Sequence, residues 1–177
     1  MSFGGLTQTL LNAPNTAKLL AEITNPLPNA NLPALQILRA ARPLVVAAVA
    51  EQVKVPILYV VSSIDQSRAM VDALRRLTEP EAVLRLAEPN TAFYDTVAPV
   101  ADVIAQRSAV LAKLALSGRS AIAVASPRAL MHLTLPRVQF VQGCRTLMLD
   151  QTLRMDEALA HWLKIGYQPQ SVVEHVG

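Results

Sequence analysis

From residue 35 onward, short apolar runs alternate with longer stretches whose apolar positions recur every three or four residues, the pattern of strands followed by helices. Apolar runs over 35–38, 57–61, 82–86 and 121–125 predict strands. The run over 57–61 carries no polar residue, as expected of a strand buried on both faces of a parallel sheet. The first predicted helix spans 43–52, with Pro43 suited to its opening because the missing amide hydrogen would be unpaired there. Leu44, Ala47, Ala48 and Ala50 favour that helix, whereas the β-branched Val45, Val46 and Val49 count against it. Ser63 and Gln66 form a capping box for the second, whose buried stripe is Met70, Ala73, Leu74 and Leu77 and which ends before Glu79-Pro80. The third covers 101–116, with Val103, Ile104, Leu111 and Leu114 on one face, and Ser126-Pro127 opens a short helix through Met131.

This alternation is flanked by different material. Residues 1–25 predict two short helices, Leu6, Leu10 and Leu11 on one and Leu19, Leu20 and Ile23 on the next, which together suggest a docking arm. Pro26, Pro28 and Pro33 then make an irregular linker. Beyond Leu135-Pro136 the run 145–149 predicts a strand. Met155, Ala158, Leu159, Trp162 and Leu163 predict a helix with Asp156 and Glu157 at its N-terminal end, Lys164 at the other and Gly166 as cap. A strand beginning at 170–176 has no following partner, which predicts a longer parent polypeptide. The strand-helix repeats imply an α/β fold with a mostly parallel sheet, covered on both faces.

Composition supports a folded chain: 52% of the 177 residues are hydrophobic and only 16% charged, and aromatics at 4% leave Leu, Val, Ile and Ala to build the core. The net charge of +3 raises nucleic acid as a partner, but the basic residues are scattered, with no run longer than Arg75-Arg76. Cys144 is alone, so no disulfide framework exists, and a reduced thiol in the cytoplasm is expected. Glu51 and Lys54 interrupt the apolar run from Leu44 before it could cross a bilayer, and the first residues have no signal-peptide pattern.

The turn between the first predicted strand and helix is where a nucleotide-binding α/β protein would hold phosphate. It reads Arg39, Ala40, Ala41, Arg42, Pro43, with no Gly, Lys, Ser or Thr to cradle phosphates or hold magnesium. No dinucleotide fingerprint occurs either, and His132, His161 and His175 have no metal-ligand spacing. Arg107 falls on the apolar stripe of the 101–116 helix, where a guanidinium must find a partner or reach water. Asp95, in the long loop over 88–99, is the expected partner, with Asp102 as the second candidate; such a bridge would pin the Tyr94-Asp95 loop.

Tyr94, Asp95, Pro99, Asp102, Ile104, Arg107, Leu111 and Leu114, followed by the strand over 121–125 and by Ala129-Leu130-Met131, resemble the N-terminal region of the bacterial transcription-repair coupling factor family. That region is itself similar to the damage-recognition protein UvrB. The likeness continues through Leu153, Ala158-Leu159, Leu163 and Gly166-Tyr167 to Val173-Glu174-His175, covering residues 35–177, with Ala98 standing where the family commonly has Ser. It implies a three-layer, helicase-like domain whose phosphate loop is degenerate at Arg39 to Pro43, followed by the start of a small α+β inserted domain of the UvrA-binding type. The expected division is a helical arm and linker over 1–33, the helicase-like domain over 34–136 and the beginning of the inserted domain over 137–177.

The resemblance implies a non-catalytic docking and regulatory module in transcription-coupled nucleotide excision repair, cytoplasmic, with no cofactor in this region. ATP and magnesium would belong to later domains of the parent, an ATP-driven DNA translocase that displaces stalled RNA polymerase and recruits UvrA. UvrA and the parent's other domains are the implied partners, with RNA polymerase and DNA reached through the full-length protein and no membrane involved. In the family the UvrA-contacting surface lies on the inserted domain and uses residues just beyond this stretch. Two other readings stay open: an enzymatic or small-molecule-binding α/β domain using the 88–99 loop with Asp95, Asp102 and Arg107, and a DNA-binding module.

Overall fold

The computed structural model describes residues 4–24, 36–53, 55–89, 101–116 and 121–172. Three strands, β1 (Ile57–Val60), β2 (Val83–Arg85) and β3 (Ile122–Ala125), form a parallel sheet in the order β1-β3-β2. The predicted strands over 57–61, 82–86 and 121–125 are therefore all present, each slightly shorter than its apolar run. Helix α1 (Gly4–Leu11) packs against α3 (Arg42–Gln52), with α2 (Pro14–Thr24) between them in sequence. The first helical pair thus lies on the body of the fold through α1.

Helix α4 (Ile64–Leu77) links β1 to β2 and packs with α3 over one face of the sheet. It starts where expected: Ser63 is extended, and its hydroxyl accepts from the Gln66 amide at 3.3 Å. Leu74 and Val71 are buried, with Met70 and Leu77 beside them, against Val83, Ile122, Val124 and Ala47. Burying a side chain the size of Leu74 stabilises by roughly 1.5–3 kcal/mol, so this cluster is the main source of cohesion.

Because successive strand residues point to opposite faces, Ala123 and Ala125 of β3 turn the other way. There Ala125 meets Leu86, Val110 of α5 (Ala101–Leu116) and Ala129 of α6 (Pro127–Leu130). Helix α7 (Arg137–Gly143) packs against α5, and Arg137 donates to the Ala115 carbonyl at 3.2 Å. Helix α8 (Met155–Lys164) is joined to α7 by the His161 ring, 3.3 Å from the Gly143 carbonyl. It ends at Gly166 as expected: with φ at 104°, the Gly166 amide bonds Leu163 and the Tyr167 amide bonds Trp162, closing the last turn.

Several expectations are corrected. Residues 36–38 are not a strand; they run into a 3-10 turn at Arg39–Ala41, and Leu38 is 83% exposed. Leu35 and the linker lie outside the described residues. A strand persists only beside another strand, and none of the described strands lies beside 36–38. Strand β1 is not buried on both faces: it is an edge strand, with Leu58 and Val60 about half exposed. Residues 145–149 are irregular rather than extended, because the chain turns locally, with the Gln151 side chain accepting from the Met148 amide and Asp150 at φ 63°. Residues 170–172 are not a strand, 173–176 lie outside the described residues, and α7 was not anticipated.

Candidate functional site: the face beneath α5

The second face is held by two polar clamps at the C-terminal ends of β2 and β3. Arg107 projects from the apolar side of α5 and donates through Nη1 to the carbonyls of Ala87, at 2.7 Å, and Ala129, at 3.0 Å. It thereby joins α5, the segment after β2 and helix α6. Burial pulls its pKa below the ordinary arginine value, though a guanidinium remains charged. Next along the chain, Glu88 accepts from the Ser126 hydroxyl at 2.8 Å and pairs with Arg128 at 3.3 Å. Ser126 in turn caps α6, its oxygen accepting from the Ala129 amide at 3.2 Å. Adjacent residues, Ala87 and Glu88, are therefore both tied to the same short helix.

The residues singled out in the sequence are only partly brought together. Tyr94, Asp95 and Pro99 lie outside the described residues. Asp102 is exposed in the first turn of α5, and Arg107 turns to backbone carbonyls instead of to it. The second-choice bridge from Arg107 to Asp102 is thus absent, while the expected one to Asp95 falls outside the described residues; Arg107 instead donates to two backbone carbonyls. Arg39, Ala40 and Arg42 are exposed, Ala41 is partly covered, and Pro43 is the second residue of α3. The Ala41 amide bonds the Leu38 carbonyl at 2.9 Å, so these five residues form a turn running straight into the helix. The roles of Glu88 and Arg128 were not read from the sequence; Ser126-Pro127 was legible as a cap, but nothing local says that a glutamate thirty-eight residues earlier will reach it.

Beside the clamps, α5 leaves the β1 side of the sheet bare. An open groove of about 330 Å³ runs there between Leu58, Leu111, Leu114 and Leu130, with Arg107 and His132 as its ionisable lining. A second hollow of about 240 Å³ continues past Arg107 and His132 toward Phe140 of α7. Among the described residues, no group of three or more His, Cys, Asp or Glu side chains gathers in a way that could hold a metal ion. Nor is any described helix long and apolar enough to cross a membrane. What this face offers chemically is apolar area, a guanidinium and an imidazole, with Glu88 engaged by Ser126 and Arg128. No family model matches the chain. No curated protein shows significant similarity to it.

Proposed function

We propose that the chain is a non-catalytic docking and regulatory module, the UvrB-like N-terminal region of a transcription-repair coupling factor, acting in nucleotide excision repair as part of an ATP-driven DNA translocase. The observation that carries this reading is the turn from Arg39 to Pro43. The resemblance puts a phosphate loop at this point of the chain, although no described strand of the sheet leads into the turn; it has no glycine or lysine, and two of its exposed side chains are arginines without a phosphate cradle around them. The reading is further supported by the spaced set Asp102, Ile104, Arg107, Leu111 and Leu114 on α5, and by the parallel sheet with helices on both sides. On this reading the helicase-like fold, with the start of an inserted domain after Pro136, serves as a scaffold for UvrA and for the parent's own domains. ATP and magnesium act elsewhere in the parent.

The test is isothermal titration of the chain with magnesium ATP. No saturable heat is expected, and a stoichiometric binding isotherm would overturn the non-catalytic reading. The rival built on Asp95, Asp102 and Arg107 as a ligand pocket gains nothing from α5, where Asp102 is exposed in the first turn and Arg107 does not turn to it.

A further inference from the structure

The two edges of the sheet are finished differently. At the β2 edge, Arg75 of α4 donates to the outward Val83 carbonyl at 3.4 Å, and Arg85 adds a charged side chain to the same strand. Both are devices that discourage another strand from pairing. At the β1 edge, the Ile57 and Val61 amides donate inward to Ala121 and Ala125 at 2.8 and 2.9 Å. By the alternation of a strand, the peptide groups of Leu58 and Val60 point away from β3. Among the described residues nothing pairs with them, and β1 carries no charge, proline or bulge.

The same two residues place their side chains, 55% and 49% exposed, on the bare part of the second face. Leu58 continues directly into the groove beneath α5. Among the described residues, Arg107 and His132 are the groove's ionisable lining, and no carboxylate lines it.

We infer that this edge and groove together receive an extended segment of a partner polypeptide, added as a fourth strand beside β1. The pairing supplies main-chain hydrogen bonds at Leu58 and Val60. Side chains two residues apart on the incoming strand fall on the groove side, where aliphatic groups fit, and a carboxylate on that strand answers the positive charge of Arg107. The occupant is therefore a segment with alternating aliphatic residues and an aspartate or glutamate. This inference rests on the docking reading and names the partner chemistry for it.

The test is selection of displayed random decapeptides on the whole chain, followed by fluorescence anisotropy with the most enriched peptide. Alternating Val, Ile or Leu with one acidic residue is expected. Affinity should fall about tenfold or more when alternate peptide amides are N-methylated, and again when the acid is changed to lysine. Val60→Pro should abolish binding while leaving the fold intact, since that amide faces outward, and Leu58→Lys gives an independent block of the same edge. Enriched peptides without alternation, or binding indifferent to N-methylation and to both variants, overturn the inference. Self-association in sedimentation that Val60→Pro abolishes would assign the edge to a second copy and overturn the partner polypeptide. None of these outcomes bears on ATP binding, so the titration above judges the non-catalytic reading separately.

Discussion

The two faces of the sheet are built on opposite plans. On the first, β3 presents Ile122 and Val124 to α3 and α4, and Leu74, Val71 and Val83 fill the space between them. On the second, the same strand presents Ala123 and Ala125, which leave little bulk for α5 and α6 to pack on. Arg107 and Glu88 make up the difference with directional bonds to Ala87, Ala129, Ser126 and Arg128. The first face is thus cohesive through apolar volume, and the second through a few placed hydrogen bonds beside an open groove. Small side chains with polar clamps thus position the second face without filling it.

This contrast can be broken from either side. The largest effect is expected for Leu74→Ala, which empties a fully buried site on the first face and should cost about 2–5 kcal/mol in urea unfolding. A loss below that of an exposed substitution would mean that the first face is not the main core. Arg107→Met keeps the apolar stem but strands two carbonyls, and a cost of about 1–3 kcal/mol is expected. Hydrogen exchange should locate the loosening in α6 while α3 and α4 stay protected; uniform deprotection would show that the faces are not separable. The smallest effect belongs to Leu58→Thr at the open groove, where the change in stability should stay within about 0.5 kcal/mol. A clear destabilisation there would mean that the groove is already filled in the isolated chain.

Much of the framework was legible along the chain. The mainly apolar runs near Ile57, Val83 and Ile122 marked the strands, and the spacing of Met70, Leu74 and Leu77 marked the face of α4. Ser63, Ser126 and Gly166 mark helix ends because their side chains or backbone freedom act on atoms a few residues away. The runs over 35–38 and 145–149 were also strand-like to the eye, yet residues 36–38 and 145–149 are irregular. Nothing in four or five residues reports whether another strand will lie beside them. Arg107 was legible as an arginine in the wrong place on a helix, but its partners were not, since carbonyls carry no signature in a sequence.

Local chemistry along the chain therefore settled where helices begin and end, which runs are apolar enough to enter a sheet, and that Arg39 to Pro43 lacks the groups that hold phosphate. Placement of β3 between β1 and β2 settled the rest: it made β1 an edge, put alanines under α5, and brought Ala87 and Glu88 within reach of α6. Those outcomes depend on residues far apart in sequence whose proximity is produced by folding, so no window of the chain contains them.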